Sequence, residues 1–155
     1  MQVKDIMTTN VISLSPDMSI DRAAAVLFDN NLTGAPVLSP ENKLIGIVTE
    51  YDFISPDLKI HIPTYIKLLK SLELVKKDRE AKPLQQELEK IKNIKVEDIM
   101  TRDVITVGPE GSIGDLIDLI IKNRINPVPV LDEQKKLVGI VSRADLIKIL
   151  KHIDL

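Results

Sequence analysis

The chain contains itself twice. Asp5-Ile6-Met7-Thr8 recurs as Asp98-Ile99-Met100-Thr101, Pro36-Val37-Leu38 as Pro129-Val130-Leu131, and Gly46-Ile47-Val48 as Gly139-Ile140-Val141. The offset is 93 residues throughout, without a gap, and 20 of the 50 pairs between residues 5–54 and 98–147 are identical. Such self-similarity dictates architecture, because each copy is one supersecondary unit that cannot bury its apolar face alone. Two copies packed sheet to sheet about an approximate two-fold axis form one body. Any site on one copy then has a counterpart on the other.

Local pattern orders each unit. Val11-Ile12-Ser13-Leu14 and Val104-Ile105-Thr106-Val107 are β-branched runs that stop before Pro16 and Pro109, which suits a short strand. Ser19 and Ser112 stand at helix N-cap positions, with Asp115 three residues after Ser112. Ile20, Ala23, Ala24 and Leu27 follow a helical period, as do Ile113, Leu116, Ile117 and Ile120. Asn30-Asn31 and Asn123 end these helices. Pro36-Val37-Leu38 and Pro129-Val130-Leu131 predict a second strand, and residues 44–48 and 137–141 a third. A last helix starts at Thr49 and at Ser142. The fold class is therefore α/β (α+β), two β-α-β-β-α repeats as a pseudo-two-fold pair. Repeat 1 is expected over 1–54, a helical insert over 55–95 and repeat 2 over 96–155.

The insert has no copy. It holds ten Lys/Arg against six Asp/Glu, +4, whereas 1–54 holds three against seven, −4, and 96–155 eight against ten, −2. Ile66, Leu69 and Leu72 after Pro63-Thr64, and Leu84, Leu88 and Ile91 after Pro83, predict two amphipathic helices. Such helices cover a sheet edge or a subunit interface. Their opposing charge also suits the docking of a partner.

Composition excludes several classes. A net charge of −2 argues against a general nucleic-acid binder. No apolar run approaches the ~20 residues of a membrane helix, and Lys4 and Asp5 interrupt any signal peptide. The expectation is a cytoplasmic protein. The absence of cysteine removes disulfides, thiolate metal sites and cysteine nucleophiles. His61 and His152 are the only histidines, and neither lies in a repeated motif. No nucleophile–base pair or metal cluster is visible, so neither catalysis nor a required cofactor or metal is expected.

The candidate site is Gly46-Ile47-Val48-Thr49-Glu50-Tyr51-Asp52 and its copy Gly139-Ile140-Val141-Ser142-Arg143-Ala144-Asp145. In each, a strand ends at a hydroxyl residue, a helix begins, and an aspartate follows one turn in. A helix N-terminus presents unpaired N–H groups and suits a phosphate. A carboxylate can accept both hydrogen bonds of a ribose cis-diol. The same pattern is also an ordinary helix cap, and the two roles are compatible.

Arg143 stands where repeat 1 has Glu50. The expectation is that the Ser142/Asp145 site prefers a phosphorylated ligand, and that the Thr49/Asp52 site prefers a neutral or cationic one or is empty. Gly34 against Pro127 is a second disagreement, which either opens a pocket or relaxes a turn. Tyr51 is expected to pack on a neighbour rather than stack on a base. Met7 and Met100 are expected to fill core or interface gaps.

In combination and order, these motifs resemble a tandem pair of cystathionine-β-synthase-type (CBS) domains, the Bateman module. The resemblance rests on Val3-Lys4-Asp5-Ile6-Met7-Thr8 and Val96-Glu97-Asp98-Ile99-Met100-Thr101, on the mid-repeat Pro-Val-Leu, and on Gly-Ile-Val-Thr/Ser-x-x-Asp. It covers nearly the whole chain outside the insert. It implies a regulatory module that binds adenosine-containing ligands (AMP, ADP, ATP or S-adenosylmethionine) in clefts between the repeats. It implies that Thr49, Asp52, Ser142 and Asp145 grip ribose and phosphate. Leu32, Thr33, Gly34 and Ala35 would flank the base in one cleft, and Ile125, Asn126, Pro127 and Val128 in the other. Met7-Thr8 and Met100-Thr101 would help close them. The resemblance also implies a flat homodimer formed through the repeat helices. No attached effector domain is expected, so occupancy is expected to act on a separate effector protein through the insert, or on the assembly itself. The competing expectation is a dimerising scaffold with vestigial nucleotide sites, against which stands the retention of both Asp52 and Asp145.

Overall fold

Ser112 starts its helix as expected: its hydroxyl accepts a 3.0 Å hydrogen bond from the Asp115 N–H. Ser19 holds the matching N-cap position, but its side chain makes no capping bond. The computed structural model describes residues 1–53 and 93–150. A 3-10 turn (Val3–Asp5) leads into α1 (Ile20–Asp29), β1 (Gly34–Leu38), β2 (Leu44–Thr49) and a second 3-10 turn (Glu50–Phe53). The second half runs α2 (Val96–Ile99), α3 (Ile113–Asn123), β3 (Val128–Leu131), β4 (Leu137–Val141) and α4 (Arg143–Leu150). The expected helices of the insert lie outside the described residues, as do His61 and His152.

The helical period sets what each helix buries. α1 buries Ile20, Ala23 and Leu27, and α3 buries Leu116 and Ile120. Ile117, expected on that face, is instead 38 % exposed. Both helices end through a left-handed residue, Asn31 at φ 53° and Arg124 at φ 54°. Asparagine tolerates that conformation better than arginine.

The strands form two antiparallel hairpins with matching registers. Val37 faces Gly46 in β1–β2, and Val130 faces Gly139 in β3–β4. The expected first strand of each repeat is reduced to a single parallel bridge, Leu14 to Val37 and Val107 to Val130. Only Leu14 and Val107 pair with the neighbouring strand. Pro16 and Pro109, two residues on, lack the N–H that the next rung needs.

The repeats exchange their entry segments. Val3 is fully buried in the second core with Leu116, Ile120 and Val130, while Val96 is fully buried in the first with Leu14, Leu27 and Val37. Burying such a valine contributes roughly 1.5–3 kcal/mol. The exchange is reciprocal to the residue. The Val3 N–H bonds to the Gly111 carbonyl at 2.9 Å, and the Val96 N–H to the Met18 carbonyl at 2.8 Å. Thr8 pairs with Ile140, and Thr101 with Ile47.

Two methionines lock the exchange. A Cβ built on Gly46 would lie 2.5 Å from Met100 Sδ, and one on Gly139 would lie 2.5 Å from Met7 Sδ. Each methionine thus lies against the bare backbone of the opposite hairpin. These glycines are required by close approach, not by a positive φ.

Candidate ligand cleft

β2 ends at Thr49, and the turn that follows brings Asp52 back beneath it. The Thr49 N–H and hydroxyl both donate to Asp52 Oδ2, at 2.7 and 3.1 Å. The Ser142 N–H and hydroxyl donate to Asp145 Oδ2 at 2.8 Å each. Hydroxyl and aspartate therefore satisfy each other, as a cap does. The next N–H is also engaged. That of Glu50 donates to the Thr33 carbonyl at 3.0 Å, and that of Arg143 to Asn126 Oδ1 at 2.9 Å. The first turn-start amides are thus taken, and an anion has to be met chiefly by side chains.

A cavity of about 360 Å³ opens beside Thr49 and Asp52, and both repeats wall it. Repeat 1 supplies Thr33, Ile47, Glu50 and Tyr51 besides those two. Repeat 2 supplies Thr101, Asp103, Val104 and Ile105 from its entry segment, the loop from Arg124 to Pro127, and Arg143. Polar and charged groups stand around an apolar wall of Ile47, Val104, Ile105 and Ile125. That mixture suits a small organic ligand.

Several expected residues meet here: Thr33, Thr49, Asp52, Thr101, Ile125, Asn126, Pro127 and Arg143. Arg143 was expected beside Ser142 and Asp145, but it lines the Thr49/Asp52 cleft together with Glu50. Its N–H bonds to Asn126, which ties the start of α4 to the loop of repeat 2 that walls the cleft. Tyr51, expected to pack on a neighbour, is 69 % exposed at the cleft, while Phe53 takes the buried place in that turn.

Other expected residues lie elsewhere. Met7 and Met100 pack on glycines, as described above. Thr8 is exposed and pairs through its backbone with Ile140. Ala35 and Val128 are buried in their cores, and Leu32 packs against the first core. Gly34 opens no pocket: a Cβ there would lie 2.7 Å from Pro127 Cδ and 2.9 Å from the Val48 carbonyl oxygen. Pro127 is the counterpart of Gly34, so the small residue of one copy accommodates the large one of the other. Arg124, Asp103, Val104 and Ile105 were missed. Val104-Ile105 read as a strand, and the exchange that brings them to the opposite repeat leaves no local signal.

The two aspartates differ electrostatically. Burial pushes the Asp52 carboxyl above its ordinary value, against the pull of the two Thr49 hydrogen bonds. Burial acts likewise on Asp145, but the Lys148 ammonium and the Ser142 donors outweigh it and hold that carboxyl below its ordinary value. Among the described residues no group of three His, Asp or Glu could hold a metal ion, and no helix is long and apolar enough to cross a membrane.

Comparison with known proteins shows the family and the fold. Residues 3–57 and 96–152 match the family model of the CBS domain. An uncharacterized protein of Methanocaldococcus jannaschii is 36 % identical over 97 % of this chain and 91 % of its own length. A CBS domain pair solved in complex with 5′-methylthioadenosine and S-adenosyl-L-methionine is 26 % identical, with a TM-score of 0.69 over 98 % of this chain and 97 % of that one. A CBS-pair protein of Arabidopsis thaliana, solved in complex with AMP, shares the fold at 24 % identity, with a TM-score of 0.71 over 99 % and 98 % of the two chains.

Proposed function

This chain belongs to the CBS domain family, and we propose that it is a regulatory module that senses an adenosine-containing ligand in the cleft between its repeats. The observation that carries this reading is Asp52. It stands on a wall that both repeats build, and no hydrogen bond to its Oδ1 comes from the described residues. A ribose diol has the donors for that oxygen. Arg124 and Arg143 offer planar donors to a phosphate or carboxylate at the other end of the ligand. The apolar wall receives the base. The adenosine-containing ligands of the solved CBS pair at 26 % identity support the same class.

A ligand that touches both repeats favours whichever relative arrangement it contacts better. Its output is a change in shape or rigidity read by a partner protein, without catalysis by the module. Phe28, Ile121 and Ile147 are 84 %, 69 % and 61 % exposed on α1, α3 and α4, which supports a homodimer through those helices. Light scattering tests that assembly.

A thermal-shift series with AMP, ADP, ATP, 5′-methylthioadenosine and S-adenosylmethionine tests the ligand reading. A ligand at 100 times its dissociation constant stabilises the fold by about 2.7 kcal/mol. No shift with any of them would favour the scaffold, whose cleft is vestigial and whose exposed helices alone carry function.

A further inference from the structure

The repeat makes Asp52 and Asp145 equivalent, but the structure puts them in different states. Each receives two hydrogen bonds on Oδ2 from its own hydroxyl residue. They part at Oδ1. Lys148 Nζ lies 2.9 Å from Asp145 Oδ1 in an ion pair. Among the described residues nothing donates to Asp52 Oδ1. The repeat-1 position that matches Lys148 is Ser55, which carries no cation.

Exposure follows the same division. Asp145 is 6 % exposed, whereas Asp52 is only half-buried, on the wall of the cleft. A diol that reaches Asp145 has to displace an ammonium from a largely buried carboxylate. It exchanges a charge-assisted bond for neutral donors in a place where an unpaired charge is costly. At Asp52 no described residue has to be displaced. The cationic side chains divide the same way. Arg124 and Arg143 line the Asp52 cleft beside Glu50 and Asp103, and repeat 1 has no arginine at either matching position, where Asn31 and Glu50 stand.

We propose that each chain takes one adenosine-containing ligand, at Asp52, and that Lys148 closes the Asp145 counterpart by occupying its free oxygen. Lys148 touches no ligand in this scheme; it decides which of two duplicated sites is open. The inference rests on the ligand reading above and specifies where that reading applies.

Isothermal titration calorimetry of the whole chain with AMP, and separately with S-adenosylmethionine, tests it. The expected result is one site per chain for the probe that binds. Asp52→Asn weakens that site by at least about tenfold, as removal of a charged acceptor does. A cooperative melt of the variant, well above the titration temperature, separates loss of the site from loss of the fold. Lys148→Ser installs the repeat-1 residue at an exposed position and brings the stoichiometry to two. Two sites in the wild-type chain overturn the inference and leave the ligand reading standing, and so does a Lys148→Ser chain that still binds one ligand. No binding of either probe by the wild-type chain overturns both.

Discussion

Asn126 donates a 3.0 Å hydrogen bond from Nδ2 to Thr33 Oγ1, and the two residues occupy the same position in the two repeats. Their contact lies where the pseudo-two-fold axis passes. The Asn126 side chain is used at both ends, since its Oδ1 accepts from the Arg143 N–H at 2.9 Å. One amide group therefore joins repeat 1, the loop of repeat 2 and the start of α4 at the edge of the cleft.

Asn126→Ala removes both bonds and leaves a hydroxyl and an N–H without their partner. The expected loss is about 1–2 kcal/mol, or a melting temperature lower by roughly 3–6 °C in a chain of this size. Thr33→Val removes only one bond and costs less, because Asn126 keeps the Arg143 N–H. Urea denaturation of both variants and the double variant measures the coupling. Equal losses for the two single variants would contradict the dual role of Asn126.

Gly34→Ala and Gly46→Ala separate rigid from yielding neighbours. The new Cβ at residue 34 meets the Pro127 ring and the Val48 carbonyl, neither of which can turn away. At residue 46 it meets the flexible Met100 side chain. Overpacking costs typically about 1–3 kcal/mol. The Gly34 variant is expected at or beyond the upper end of that range, and the Gly46 variant nearer the lower. Melting temperatures in the reverse order would contradict this packing account.

The exchanged valines predict a crossed response. Val3→Ala and Val96→Ala each delete two buried methyl groups, at about 2 kcal/mol apiece with the cavity term included. Because Val3 sits in the second core, its variant is expected to raise hydrogen exchange in β3 and β4. Val96→Ala is expected to raise it in β1 and β2. Protection lost in the hairpin nearest in sequence would refute the exchange.

Asp52 and Asp145 predict opposite dependences on pH. The Asp52 carboxyl is raised by burial, so the native state holds its proton more tightly than the unfolded chain does. Its stabilising contribution is present below the ordinary carboxylate range and is lost as pH rises through the raised value. The Asp145 carboxyl is pushed up by burial but brought below its ordinary value by Lys148 and Ser142. Its contribution is present above the ordinary range and is lost as pH falls through the lowered value. At neutral pH, Asp52→Asn is expected to melt at or above the wild-type temperature and Asp145→Asn below it. The Asp145→Asn deficit is expected to shrink toward about pH 3, below the ordinary carboxylate value. Melting curves across that span check both signs. A destabilised Asp52→Asn chain at neutral pH would mean that the Thr49 bonds outweigh burial.

Much of this protein is legible in local pattern. The duplication, the helices after Ser19 and Ser112, the hairpins at Pro36-Val37-Leu38 and Pro129-Val130-Leu131, and the Thr49/Asp52 and Ser142/Asp145 pairs all follow from interactions a few residues apart. Capping, helical period and turn chemistry act over that range, so the sequence alone determines them. The exchange of entry segments, the seating of Met7 and Met100 on Gly139 and Gly46, and the fit of Gly34 to Pro127 required the tertiary structure. Each joins positions in different repeats, and no local preference records which copy a segment will pack against. The same reason moved Arg143 into the Thr49/Asp52 cleft. Duplication by itself made Asp52 and Asp145 alike. Lys148, one helical turn after Asp145, supplies its ammonium by local spacing, whereas only packing brought the wall of repeat 2 to Asp52, and a carboxylate's state depends on the charges and solvent that the folded chain brings to it.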